Sequence, residues 1–104
     1  MYRATTAEHT FTMPEDTSVY DIIQITYKQR AKKLVKTLIE GREASGIMAV
    51  GDTVLVTLTQ EETRRFSVGK ATVQVRVLRS DGKAYASEEF IIDVKGVNNE
   101  DILQ

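Results

Sequence analysis

The 104-residue sequence has no cysteine, no tryptophan, one proline, one histidine and no marked excess of either charge. Without cysteine there can be no disulfide, thiolate metal site or cysteine nucleophile, so the core alone must hold the fold. Fourteen Lys plus Arg against fifteen Asp plus Glu leave a net charge of −1, without the positive field that non-specific nucleic-acid binding draws on. Residues 1–52 carry 7 basic and 7 acidic residues and the remainder 7 and 8, so neither end is a charged tail. The longest apolar run, Ile47 to Val50, is far short of the ~20 residues that span a bilayer. Met1 to Phe11 contains no apolar signal core, and the expectation is a chain that is made in water and stays there.

What is present is ordinary for a globular chain: 41% apolar and 28% charged residues at the size of one domain. The reading is a single domain over residues 1–95 followed by a tail, 96–104. Ala7, His9, Phe11 and Met13 alternate with Glu8, Thr10 and Thr12, the period of a half-buried strand that Pro14 ends. Val19 to Lys28 is rich in Ile, Val, Thr and Tyr. Its apolar residues on both faces predict a central strand covered on both sides, with Tyr20 and Ile22 opposite Ile23, Ile25 and Tyr27. Residues 31–40 are ambiguous. Ala31, Leu34, Val35, Leu38 and Ile39 have helical spacing, but β-branched Val35, Thr37 and Ile39 and the lack of an N-cap favour a strand.

Gly41, Gly46 and Gly51 punctuate a loop that contains a short paired piece at Ile47 to Val50. Val54, Val56 and Leu58 alternate with threonines in a further strand. Thr59-Gln60-Glu61-Glu62 has the spacing of a capping box and predicts a short helix over about 60–66, after which Phe66 dips into the core and Gly69 restores extended structure. Ser80-Asp81-Gly82-Lys83 predicts a two-residue type I′ hairpin. Its register pairs Val77 with Ala86, Leu78 with Tyr85, Val73 with Phe90 and Ala71 with Ile92. Glu88 opposite Val75 is the one mismatch and predicts a bulge around Ser87 to Glu89. The sum is an all-β, immunoglobulin-like antiparallel sandwich of 6–7 strands with one short helix. If 31–40 were helical the fold would be α+β.

Reactive constellations are few. His9 lacks the partners of a triad or zinc site and reads as structural or surface. The doublets Glu15-Asp16, Glu61-Glu62, Glu88-Glu89 and Glu100-Asp101 do not converge, because neighbours on a strand face opposite ways. Gly69-Lys70-Ala71 and Gly82-Lys83-Ala84 echo a phosphate loop but lack its upstream glycine and its Ser or Thr. Lys28, Arg30, Lys32, Lys33 and Lys36 form one basic patch, read as a solvated hairpin tip that could also meet an acidic partner surface. Arg76 is expected near Glu89 as an exposed cross-strand pair. Tyr2, Tyr20, Tyr27 and Tyr85 are read mostly as core, with a sugar-stacking surface as the rival. Open edge strands make self-association an expectation. No catalytic, cofactor-binding or metal-binding residue is assigned.

Val56-Thr57-Leu58-Thr59-Gln60-Glu61-Glu62-Thr63, Val73-Gln74-Val75-Arg76-Val77-Leu78 and Ser80-Asp81-Gly82-Lys83-Ala84-Tyr85-Ala86-Ser87, with Met1-Tyr2-Arg3, Phe11-Thr12-Met13-Pro14 and Ile25-Thr26-Tyr27-Lys28-Gln29, resemble small tail-region proteins of phages and prophages of Gram-positive bacteria. The pattern is similar to the N-terminal domain of phage baseplate upper proteins and covers Met1 to about Lys95. Arg30-Ala31 stands where that family leads one to expect a tighter Asn-Gly-like turn. The resemblance implies a β-sandwich that docks on other tail or baseplate proteins in the virion, without catalytic residues; no cofactor is expected, and the charge balance and short apolar runs argue against nucleic-acid and membrane partners. The expected function is therefore that of a non-enzymatic structural protein acting through protein–protein contacts. The alternative is a carbohydrate- or cell-surface-binding sandwich module.

Overall fold

Period-2 alternation becomes strand along most of the chain. The computed structural model describes residues 1–40 and 44–104, so the Gly41 end of the expected loop lies outside the described residues. The elements are β1 (Ala7–Thr12), a single 3-10 turn (Thr17–Val19), β2 (Tyr20–Gln29), β3 (Lys32–Ile39), β4 (Ile47–Val50), β5 (Thr53–Leu58), α1 (Gln60–Arg64), β6 (Gly69–Arg79), β7 (Ala84–Ala86) and β8 (Phe90–Val94). Two antiparallel sheets result. One has the order β1-β5-β4; the other runs β3-β2-β6, with β7 and β8 end to end along the free side of β6. Consecutive strands β2-β3 and β4-β5 are hairpins, whereas β1-β5 and β2-β6 join segments distant in sequence.

The chain is an all-β immunoglobulin-like sandwich with one short helix, and the helical alternative for residues 31–40 does not hold. Leu34 and Leu38 point into the core while Val35 is exposed, which is strand periodicity; pairing with β2 outweighs the helical spacing. Eight strands replace the expected six or seven because the bulge divides β7 from β8. The core sits between the sheets. Ile25, Tyr27, Val54, Val56 and Leu58 are fully buried there, and each such aliphatic side chain contributes about 1.5 to 3 kcal/mol. Phe66 joins them from just beyond α1, its ring 6.4 Å from that of Tyr27.

Two local expectations are corrected. Strand β2 is central but is covered on one face only: Ile23, Ile25 and Tyr27 are buried, whereas Ile22, Gln24 and Thr26 are half-buried on the outer face. Tyr20 nevertheless reaches the core, because a register shift between Tyr20 and Ile22 inserts Asp21 as an extra residue and turns Tyr20 over. At the last hairpin the turn is not type I′. Gly82 N–H donates to the Arg79 carbonyl at 2.9 Å, Arg79 N–H donates to that of Lys83 at 2.8 Å, and only Gly82 has a positive φ, +88°. This three-residue loop needs a single left-handed position and gives it to glycine. Pairing near the turn therefore slips by one, with Val77 opposite Tyr85 and Leu78 opposite Ala84.

The expected bulge at Ser87 to Glu89 takes up the slip, so Val73 meets Phe90 and Ala71 meets Ile92 as read from sequence. Ser87 stitches the bulge: its hydroxyl accepts from the Val75 amide at 3.0 Å and its own amide donates to the Val75 carbonyl at 2.8 Å. Arg76 lies opposite Ala86 and forms no ion pair with Glu89 among the described residues, because the bulge carries Glu89 out of register.

Candidate functional site

Inside the sandwich, His9 projects from β1 toward the opposite sheet, where its Nδ1 lies 2.6 Å from the Tyr27 hydroxyl. Burial raises the Tyr27 phenol well above its ordinary value, so it keeps its proton. Among the described residues that hydroxyl has no other hydrogen-bond partner, so it donates to Nδ1 and leaves the histidine proton on Nε2. Burial first, and the terminal ammonium second, lower the His9 pKa. Among the described residues no carboxylate shares this contact, and no group of three His, Cys, Asp or Glu side chains is placed to hold a metal ion.

The acidic doublets are dispersed. Glu15 pairs with Arg79 and Asp16 caps the 3-10 turn by accepting from the Ser18 amide at 3.0 Å. Glu88 and Glu89 are exposed in the bulge, and Glu100 is held by Arg3 at 2.7 Å. Glu62 completes the capping box, its carboxylate accepting from the Thr59 amide at 2.9 Å and its own amide donating to the Thr59 hydroxyl at 3.1 Å. Lys36 lies 2.8 Å from the same carboxylate, and both side chains are largely buried. Burial works to raise the Glu62 carboxyl, but the Lys36 hydrogen bond and the Thr59 amide outweigh it and hold the pKa below the usual value. Lys36 therefore leaves the basic patch.

The two lateral sides of the sandwich differ. On one side β3 and β4 approach each other. There Gly46 has φ +79°, and a Cβ on it would lie 2.7 Å from both the Thr57 carbonyl oxygen and Lys36 Nζ. On the other side β1 and β7 leave an apolar groove of about 660 Å³, lined by Phe11, Met13, Tyr20, Val75, Val77, Tyr85 and Phe90, with the Glu15–Arg79 pair at one end. Tyr85 and Phe90 are about half exposed there, at 54% and 48%. The Phe11 and Phe90 rings, 6.2 Å apart, bridge the two sheets. Further along, residues 1–3 pair in parallel with Lys95 and close the end of the same side.

Edge chemistry follows the same asymmetry. The exposed edge strand β3 carries Lys32, Lys33 and Lys36, which discourage strand pairing. Strand β1 offers only Glu8, β7 has no charge, and β8 only Asp93. A seven-stranded immunoglobulin sheet has a strand outside the position that β1 fills; here β1 pairs with β5 alone among the described strands.

Of the tyrosines read from sequence, Tyr20 and Tyr27 are core, Tyr85 faces the groove, and Tyr2 lies elsewhere with its ring 5.8 Å from Lys95 Nζ. They do not form one surface. Sequence reasoning did not single out the groove's Phe11, Val77 and Phe90. Their alternation was legible, but nothing local tells that β1 and β7 are both sheet edges on one side. No helix among the described residues is long and apolar enough to cross a membrane. Compared with models of known protein families and with curated proteins, the chain matches none.

Proposed function

We propose that the chain is a non-enzymatic structural protein of a phage or prophage tail or baseplate, acting through protein–protein contacts on its open side. The observation that carries this reading is the apolar groove between β1 and β7, two edge strands that themselves contain no lysine or proline, with Pro14 at the groove's end. Its occupant is an extended strand of another tail protein whose alternate side chains are apolar. The flanking edges supply main-chain hydrogen bonds, and Phe11, Val77 and Phe90 receive the side chains, the logic of β-strand addition. The resemblance of the strand and turn motifs to tail-region proteins supports the setting, a tail within the virion. Co-expression with the proteins of neighbouring genes is the test. A stable complex that Phe90→Asp or Val77→Asp disrupts, in variants with an unchanged circular dichroism spectrum, supports the reading. Genes unrelated to tails, or a complex indifferent to both substitutions, overturns it.

The half-exposed rings of Tyr85 and Phe90 beside the Glu15–Arg79 pair favour a second reading, a carbohydrate- or cell-surface-binding module. Stacking on such rings with a polar rim is a sugar-binding arrangement. Glycan-array binding that disappears on Tyr85→Ala is its expected result; an array without binding retires it.

A further inference from the structure

The charge that is balanced along the sequence is sorted in space. Strand β6, at 11 residues, spans about 36 Å, so the longest dimension of the molecule, 47 Å against 28 and 20 Å, runs along the strands. At the end where β2 begins and β6 finishes stand Glu15, Asp16, Asp21, Glu40, Asp52 and Asp81. Hydrogen bonds tie these segments together: Met13 N–H to the Asp52 carbonyl at 2.7 Å, Glu40 N–H to that of Asp21 at 2.9 Å, and Ser80 N–H to that of Val19 at 2.9 Å. The described cations there are Lys83 and Arg79, and Arg79 is engaged by Glu15 and Asp81.

The opposite end is basic. The β2–β3 tip supplies Lys28, Arg30, Lys32 and Lys33, and the segment from α1 to β6 adds Arg65 and Lys70. Gln29 holds the two together, its side-chain amide exchanging hydrogen bonds of 2.7 Å with both the N–H and the carbonyl of Ser67. A hollow of about 350 Å³ opens between them, with Lys32, Lys33 and Arg65 around Leu34 and Phe66. Of the carboxylates at this end, Glu62 is taken by Lys36 and Glu100 by Arg3, and Asp93 lies 3.9 Å from Lys70. That leaves Glu8, Glu61 and Asp101 against Lys28, Arg30, Lys32, Lys33 and Arg65.

We infer that this protein associates head to tail with further copies of itself, the acidic end of one seated on the basic end of the next. Charge complementarity selects the occupant, since one chain carries both members of the pair at opposite ends of its long axis. The contact is heterologous: it closes into a ring if the rotation between copies returns on itself, and otherwise continues as a filament. It uses neither the groove nor the tail assignment and stands independently of them.

Sedimentation velocity of the intact chain over a concentration series reads this directly. At about 20 mM salt the sedimentation coefficient should rise with concentration, and the apparent dissociation constant should weaken at least about tenfold by 300 mM salt, as screening shortens the reach of exposed charges. Lys32→Glu/Lys33→Glu should remain monomeric, as should Asp16→Lys/Asp81→Lys. Mixed together, these two variants should form a heterodimer, because each retains the native end that the other lost; that recovery separates lost contact from lost folding. A chain monomeric at every concentration in low salt overturns the inference. So does association that salt leaves unchanged and Phe90→Asp abolishes, which would place the contact in the groove.

Discussion

His9 ties the folding of this chain to pH just below neutrality. Because burial makes its folded ring harder to protonate than a free imidazole of pKa 6.5, the unfolded chain binds more protons below that value. Stability must then fall as pH drops from neutrality through 6.5, and the His9 contribution levels off once the folded ring itself is protonated and loses the Tyr27 hydrogen bond. Urea midpoints between pH 7.5 and 5 should show this slope, and His9→Gln should flatten it relative to the parent. Gly46 is the second sensitive position. A Cβ there meets the Thr57 carbonyl and the backbone keeps φ +79°, so Gly46→Ala should cost about 2 kcal/mol in the same titration with m unchanged. Arg30 shows the reverse case. It occupies the first turn position of the β2–β3 hairpin at φ +54°, where a side chain costs about 1 to 2 kcal/mol. Arg30→Gly should raise the melting temperature by roughly 4 to 8 °C for each kcal/mol recovered.

Among the elements, α1 is only five residues long and persists through its cap and its docking, since so short a helix has little stability of its own. Thr59→Ala should cost about 1 kcal/mol. Lys36→Ala should cost more, about 2 to 3 kcal/mol, because it leaves the Glu62 carboxylate desolvated and unpaired. With Glu62 titrating below its ordinary value of 4.5, the pair's contribution is complete at neutral pH and is lost as acid protonates the folded carboxyl. Thermal melts of both variants at pH 7 and pH 3 check this, with the Lys36→Ala difference shrinking in acid. The capping box was fully legible, since its logic lies within four consecutive residues. The β7–β8 bulge was legible for a related reason: polarity matching across a hairpin exposes a single misfit. The turn type was not, because Asp81-Gly82 suits both a two-residue and a three-residue loop, and only the partner strand decides between them. Tyr20 failed similarly, as the extra residue at Asp21 has no sequence signal of its own.

At the scale of the whole molecule, the sequence yields strands but not their neighbours. The groove exists because β1 and β7 are edges on the same side, and the charge axis exists because segments from each half of the chain gather at each end. Both are properties of topology, invisible to composition or periodicity. Hydrogen exchange should register the same architecture: amides of Gln24, Thr26, Gln74 and Arg76 in the β2–β6 ladder should exchange slowest, and those of β7 and the tail fastest. Uniform protection across β7 and β6 would contradict it. The β2–β6 ladder also bears on biosynthesis. The partner of Tyr27 is Val73, so as the polypeptide leaves the ribosome the hairpin of β2 and β3 emerges long before the segment that covers its other flank. Until then one flank of β2 stays open and Ile23, Ile25 and Tyr27 lack their β6 neighbours Val77, Val75 and Val73, and a nascent chain halted near Phe66 should need a chaperone to stay dissolved.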